Sequence, residues 1–241
     1  MMRRFSSPPR SPRRPRSPNS VRTSSASSDS VFSAYSDSIF SAYSDSVFSD
    51  SGSSMPLSWA TRIKVAIGVA KGLSFLHDAK NQVIHGNVRA SNIVLDSEFN
   101  AKLSDFSLAI AQTIGNKIDV SGRICANDAD GYSAPEYLET GNSSQESDVY
   151  SFGVVLLELL SGRGVIDARK PFGERDLVQW ARSYFQDERN LHMIMDPKLK
   201  CEYPKEGAHT MMKLGLSCAQ DTAKYRPNMQ LVLRELEQIQ T

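Results

Sequence analysis

The stretch VIHGNVRASNIVLD, residues 83–96, consists of two apolar runs on either side of a polar loop. The runs VIH and NIVLD are rich in β-branched residues, and AKLS at 101–104 forms a third run of the same kind. Short apolar runs bounded by polar residues predict short strands. Asn87 and Asn92 therefore lie on a loop that connects the first two predicted strands.

Helical patterns surround these strands. Residues 58–77, SWATRIKVAIGVAKGLSFLH, place apolar residues at helical spacing, with Ser58 as the candidate N-cap. Residues 148–161, DVYSFGVVLLELLS, are apolar on every side, which predicts a helix buried all round and ended by Gly162. Further helical patterns lie at 174–186, 207–219 and 227–239. This order of elements predicts a mostly α fold with a few short β-strands.

The first 54 residues differ in composition from the rest of the 241-residue chain. They contain twenty Ser, no Lys, seven Arg and four Asp, and hence carry a charge of +3, whereas the remainder carries −2. So few apolar residues cannot bury enough surface to offset the entropy lost on ordering. We therefore expect a disordered tail over 1–54 and a globular domain over 55–241.

Two features of the tail leave its role open. An eight-residue repeat, DSVFSAYS followed by DSIFSAYS and DSVFSDSG, runs from Asp29 to Gly52 and is either low complexity without a role or a phosphorylatable interaction segment. The Arg-rich start is either a solvated tail or a nuclear or organellar targeting segment. We expect a cytoplasmic location, with association with the plasma membrane left open.

Several functional classes are disfavoured. The three cysteines, Cys125, Cys201 and Cys218, are widely spaced, which argues against a disulfide framework and against a zinc site. The longest apolar stretch, Phe152–Leu160, contains Glu158 and is far shorter than a transmembrane segment. The net charge of +1 gives no reason to expect nucleic acid as a partner.

Five sequence motifs, or landmarks, indicate the family that this chain resembles. They occur in this order: the loop from His85 to Asn92, SDFSLA around Asp105, SAPEYLETG around Glu136, Asp148 within the buried helix, and YRPNM around Arg226. Together they resemble the C-terminal lobe of a eukaryotic protein kinase. The words AKGLSFLH, GYSAPEYLETG and SDVYSFGVVLLELLSGR resemble plant receptor-like cytoplasmic kinases, over about residues 57–240. The resemblance implies a kinase-like C-terminal lobe preceded by the disordered tail.

The resemblance places four residues in catalytic and metal positions. Asn87 stands where the family has its catalytic Asp, and an amide cannot accept the proton of a substrate hydroxyl as a carboxylate does. Arg89 stands where the family has a lysine that contacts the transferred phosphate. Asn92 and Asp105 match the two metal-binding positions, for which we expect at most weak Mg²⁺ binding.

The resemblance gives five further residues structural roles. His85 and Phe106 match the lower half of a stacked hydrophobic spine. Glu136 and Arg226 match an ion pair, and Asp148 matches the acid that holds the backbone of the catalytic loop. These five residues are expected to stabilise the lobe whether or not it is catalytic.

Other positions depart from the family pattern. Gly86 replaces an arginine, Ser107 replaces the glycine of the DFG motif, and Ala129 replaces a threonine that contacts the catalytic loop. Residues 1–54 contain neither a G-x-G-x-x-G loop nor a lysine, so an upper lobe is expected to be absent. Mg-ATP, the family ligand, is accordingly not expected to bind tightly.

Three functions remain open from the sequence. The first is a catalytically inactive kinase-like domain that acts through contacts with other protein kinases or their substrates. The second is an active Ser/Thr protein kinase that receives its upper lobe from elsewhere. The third is a truncated gene product without a function.

Overall fold

The computed structural model describes residues 56–111, 131–185 and 190–240. In these ranges the chain is mostly helical, as the sequence predicts. The predicted disordered tail, as well as Cys125 and Ala129, lies outside the described residues. The helices are α1 (Trp59–His77), α2 (Pro135–Thr140), α3 (Gln145–Ser161), α4 (Leu177–Phe185), α5 (Leu191–Ile194), α6 (Lys205–Cys218) and α7 (Met229–Gln240).

Within the ranges that the structure describes, four short strands form two antiparallel pairs. Strands β2 (Ile93–Leu95) and β3 (Ala101–Leu103) pair with each other, and both follow the predicted apolar runs. Strand β1 (Val83–Ile84) pairs with β4 (Ile110–Ala111), which the sequence analysis did not predict. The mostly α fold class with a few short strands is therefore confirmed.

Helix α3 forms the centre of the core. Its side chains are buried from Ser147 to Ser161 on almost every side, as the sequence predicts. It begins at Gln145, three residues before the predicted start, because Ser144 and Ser147 form a reciprocal capping box. It ends at Gly162, whose φ is +63° and where a Cβ atom would lie 2.5 Å from Asp196 Oδ2.

Other helix boundaries also depend on caps. Helix α4 begins at Leu177 rather than at 174, because Asp176 Oδ1 accepts a hydrogen bond from Gln179 N at 2.8 Å. Ser58 caps α1 by accepting a hydrogen bond from Thr61 N at 3.2 Å, which confirms the predicted N-cap. The short helices α2 and α5 were not predicted, since segments of six and four residues show little periodicity.

The described helices and strands share one hydrophobic core. Helix α3 packs on α6, and a Cβ atom at Gly153 would lie only 2.7 Å from Gly215 O, so the two backbones approach closely. Helix α1 packs on α7 and on the β2–β3 pair, where a Cβ atom at Gly68 would lie 3.0 Å from Ala101 Cβ. None of the described helices is long and apolar enough to span a membrane.

Arg62 is a buried cation at the centre of this packing. Only 2% of its side chain is exposed, and its partner Asp196 is 4% exposed. The guanidinium donates to Asp196 Oδ2, to Leu57 O at 3.0 Å and to Leu159 O at 2.7 Å. It therefore connects α1 to the end of α3 and to the segment before α6.

We predict that Arg62→Met lowers the free energy of unfolding by about 3–5 kcal/mol, because it leaves the buried carboxylate of Asp196 without its cation. Urea denaturation measures the change. The control is Lys71→Met, since the Lys71–Glu237 pair is exposed and about 1 kcal/mol or less is expected. Similar small losses in both variants would contradict the prediction.

Candidate functional site

The Asp148 carboxylate holds the loop that carries the candidate residues. Its Oδ2 accepts hydrogen bonds from His85 N at 2.7 Å and from His77 Nε2 at 2.9 Å, and its Oδ1 accepts one from Gly86 N at 2.8 Å. Both His77 and Asp148 are almost completely buried. The backbone at the start of the loop is therefore fixed to the first turn of α3, in the arrangement that the family resemblance implied for Asp148.

The conformation of the loop backbone explains why position 86 is a glycine. Gly86 has a φ of +75°, in the left-handed region that favours glycine. A Cβ atom there would also lie 3.2 Å from Leu108 O. Glycine at this position therefore fits the backbone of this particular loop.

The side chain of Asn87 is hydrogen-bonded to Asp105. Asn87 Nδ2 donates to Asp105 Oδ2 at 2.7 Å, so the structure brings the catalytic position and one metal position into direct contact. Ser107 contacts the other oxygen, since its Oγ donates to Asp105 Oδ1 at 2.6 Å and its backbone N at 3.3 Å. Both carboxylate oxygens of Asp105 therefore already accept hydrogen bonds from protein groups.

These contacts also explain the charge state of Asp105. The hydrogen bond from Ser107 Oγ lowers the pKa of the carboxyl most strongly, burial opposes it, and the hydrogen bond from Asn87 adds to the lowering. Asp105 is thus an anion at neutral pH. The residue of this segment with a left-handed backbone is Asp105, with φ +57°. Ser107, at the position of the family's glycine, lies in the 3₁₀ turn Phe106–Leu108.

Asn92, the other metal-position residue, supports the loop backbone. Its Nδ2 donates to Asn87 O at 2.9 Å, and its carbonyl accepts from Ser104 N and Ser104 Oγ, both at 2.9 Å. One amide oxygen from Asn92 and the Asp105 carboxylate would supply only part of the six oxygens that Mg²⁺ coordinates, so water or phosphate oxygens would have to complete the shell. Among the described residues there is no group of three or more His, Cys, Asp or Glu side chains that could hold a metal ion.

His85 and Phe106 pack against each other. Their ring centroids are 4.7 Å apart at an interplanar angle of 60°, an edge-on contact. His85 is fully buried and Phe106 is half exposed. Burial lowers the pKa of His85, so its ring is neutral. Nε2 then carries the proton and donates to Ser104 O at 3.1 Å, while Nδ1 accepts from Asn87 N at 3.3 Å.

Arg89, at the family's lysine position, contacts an aromatic ring: its guanidinium lies over the ring of Tyr132, at 5.4 Å from the ring centroid. The Tyr132 hydroxyl donates to Glu158 Oε2 at 2.5 Å, which gives a partner to the one charged side chain in the part of helix α3 that follows Asp148. Neither Tyr132 nor Glu158 has a role that the sequence alone predicts. Their separation of 26 residues gives no sequence signal for the contact.

Glu136 and Arg226 form a bidentate ion pair away from the loop. Arg226 donates from Nη1 to Glu136 Oε1 and from Nη2 to Glu136 Oε2, both at 2.7 Å. Ser147 Oγ donates to Glu136 Oε1 at 3.1 Å, and the guanidinium lies over Tyr150 at 5.0 Å. The pair therefore attaches α2 to α3 and to the segment before α7.

Comparisons with known proteins agree on one family. The family model described as protein tyrosine and serine/threonine kinase matches residues 34–236. The probable serine/threonine-protein kinase PBL3 of Arabidopsis thaliana is 53% identical over 188 residues, which cover 78% of this chain and 44% of that protein. Receptor-like cytoplasmic kinase 176 of Oryza sativa subsp. japonica is 49% identical over 185 residues, 77% and 46% of the two chains. The chain thus spans less than half the length of these curated relatives.

We predict that Glu136→Gln lowers the free energy of unfolding by about 1–3 kcal/mol at pH 7, because it leaves the buried Arg226 without its carboxylate. Burial raises the pKa of Glu136, but the hydrogen bonds from Arg226 and Ser147 outweigh burial, and the net pKa is below the ordinary value of 4.5. A lowered pKa stabilises the fold above pH 4.5, and this contribution is lost as the pH falls further.

Urea denaturation at a series of pH values checks this dependence. The difference in stability between Glu136→Gln and the parent should be full at pH 7 and should shrink below pH 4.5. Glu139→Gln changes an exposed carboxylate on the same helix and serves as the control. A difference that stays constant with pH would contradict the ion-pair explanation.

Proposed function

Because the chain belongs to the protein tyrosine and serine/threonine kinase family, as the five landmarks predicted, we propose that it is a catalytically inactive member that acts through protein–protein contacts in kinase signalling. The observation that carries this proposal is the 2.7 Å hydrogen bond from Asn87 Nδ2 to Asp105 Oδ2. This hydrogen bond connects residue 87, where the family has its proton acceptor, to residue 105, where the family binds a metal ion.

The amide of Asn87 is unsuited to proton transfer. General base catalysis needs a group that can bind the proton of the substrate hydroxyl at neutral pH, and an amide is far too weak a base. Its NH₂ group also faces the Asp105 carboxylate as a donor. The atom of Asn87 that contacts Asp105 is thus the one without any basic lone pair.

Because residue 87 is an amide and not a carboxylate, no cation is needed to balance two adjacent negative charges. Two carboxylates at 2.7 Å would repel each other and would require a positive charge between them. With an amide at 87 and a hydroxyl at 107, Asp105 instead accepts hydrogen bonds on both oxygens from the protein itself. The site is therefore stable as a structural cluster without Mg²⁺.

We propose the same division of the chain as the sequence predicts. Residues 55–241 form the kinase-like lower lobe, and residues 1–54 form a separate tail. The contacts of Asp148, Glu136 and Arg226 support a folded lobe, since all three side chains have hydrogen-bond partners in the interior. Partners in this proposal are other protein kinases or their substrates, and the location is cytoplasmic.

A phosphotransfer assay tests the proposal. The purified chain is incubated with radiolabelled ATP, Mg²⁺ and a generic protein substrate, beside an Asp105→Ala variant as the matched background. Transfer by the parent should equal that background. Transfer that depends on Asp105 would refute an inactive domain and would favour the active kinase that the sequence left open.

We predict that Asn87→Asp does not produce phosphotransfer above background. Instead it should destabilise the domain by about 1–2 kcal/mol, because it places two carboxylates next to each other. Millimolar Mg²⁺ should recover this loss, whereas it should not change the thermal midpoint of the parent. Asn142→Asp makes the same substitution at an exposed position and is the control. A gain of activity in Asn87→Asp would show that residue 87 alone prevents catalysis.

A further inference from the structure

The segment between α3 and α4, residues 163–176, forms a closed loop, which we call the α3–α4 loop. Its ends are joined by an antiparallel bridge between Ile166 and Asp176. Asp167 N donates to Arg175 O, and Leu177 N donates to Val165 O, both at 2.9 Å. The nine residues between Ile166 and Asp176 therefore form a single protruding unit.

Hydrogen bonds inside the loop hold its shape. Lys170 N donates to Asp167 O at 3.1 Å, and Glu174 N donates to Pro171 O at 2.8 Å. Arg163 Nη2 donates to Glu174 O at 2.8 Å, and its guanidinium stacks on the Trp180 ring of α4 at 3.9 Å from the centroid. The loop is thus ordered by its own contacts and by α4.

This ordered loop exposes a large aromatic side chain. Phe172 is 90% exposed, more than any other large hydrophobic residue in the described ranges. The next residue, Gly173, has no atom of another residue within 4 Å of the position where a Cβ would stand. Ile166 at the base of the loop is 47% exposed. The tip therefore projects into open space.

Most of the basic side chains of the loop are more exposed than its acidic side chains. The exposed charged side chains are all cations, Arg169, Lys170 and Arg175. The three acids are only partly exposed, and Asp167 is paired with Arg169 at 2.9 Å. The loop therefore exposes one aromatic ring together with three cations, of which Lys170 and Arg175 form no ion pair with a carboxylate of the described residues, on a globular domain whose net charge is −2. The acids are Asp167, Glu174 and Asp176.

We propose that the α3–α4 loop binds the surface of an anionic lipid bilayer. Phe172 enters the interface between head groups and acyl chains, while Lys170 and Arg175 lie against the lipid phosphates. Aromatic rings and cations are the side chains that favour this interface. The first 22 residues add seven Arg and no acid, and stable membrane attachment commonly needs two such signals.

The loop suits a bilayer better than a protein partner. A specific protein interface needs about 800 Å² on each partner with an apolar centre. A protruding loop with one exposed Phe and one half-exposed Ile supplies little of that area. A bilayer accepts a single aromatic ring without a complementary pocket, and its negative surface attracts the cations.

Vesicle binding by the full chain tests this proposal. Binding is measured by flotation with phosphatidylcholine vesicles that contain about 30% phosphatidylserine, and with phosphatidylcholine vesicles alone. We expect Phe172→Ala to weaken binding about tenfold. The double variant Lys170→Glu, Arg175→Glu should weaken it about a hundredfold. Phe75→Ala and Lys224→Glu change exposed residues elsewhere and should have little effect.

A fluorescence measurement separates binding by the loop from binding by the Arg-rich tail. In a Phe172→Trp variant, acyl chains that carry bromine should quench the added tryptophan, whereas the same tryptophan in Phe75→Trp should not be quenched. The native Trp59 and Trp180 are buried and provide the same background in both variants. Unchanged thermal unfolding of each variant shows that the fold is intact.

Three outcomes would overturn the proposal. The first is equal quenching in the two Trp variants, and the second is equal binding to neutral and anionic vesicles. The third is vesicle binding that does not change in the Phe172 and Lys170/Arg175 variants. In that case the tail alone would bind lipid, and Phe172 would instead be expected to contact a protein partner.

Discussion

The buried carboxylate of Asp148 is the contact on which the candidate site depends. It lies in the first turn of α3, a helix whose position is set by burial on almost all sides. From there it accepts hydrogen bonds from two successive backbone N–H groups, those of His85 and Gly86, and from the last residue of α1, His77. These donors are two backbone N–H groups and the His77 side chain. The contacts that Asp148 makes with the loop are therefore independent of the side chain at position 87.

This independence explains how a kinase-like loop persists with altered chemistry. Besides the hydrophobic core, three polar contacts connect distant parts of the lobe: Asp148 with the loop, Arg226 with Glu136, and Arg62 with Asp196. None of them involves Asn87 or Ser107. The two altered residues instead contact Asp105, and they do so from either side of its carboxylate. The scaffold and the chemistry of the site are thus carried by different sets of contacts.

The sequence predicted the elements with strong local signals. Helices α1 and α3 have clear apolar patterns with Ser58 or Gly162 at their ends, and the order of the landmarks indicated the family. Contacts between residues far apart in sequence could not be predicted, because spacing alone does not give side-chain directions. The hydrogen bond of Asn87 with Asp105 spans 18 residues, and the Tyr132–Glu158 contact spans 26. Strand β4 has only two residues, too few to show any periodicity.

The identity of residue 87 is weaker evidence about catalysis than the contacts that its atoms make. Phosphoryl transfer depends mainly on positioning and charge, so an amide in place of the base lowers the rate without excluding transfer. An Asn87 that faced solvent would leave Asp105 Oδ2 without this hydrogen bond and more open to a cation. The observed Asn87 donates to this oxygen, and Ser107 donates to the other. A cation at Asp105 would compete with these two hydrogen bonds to the carboxylate, and this competition favours a structural role for the cluster.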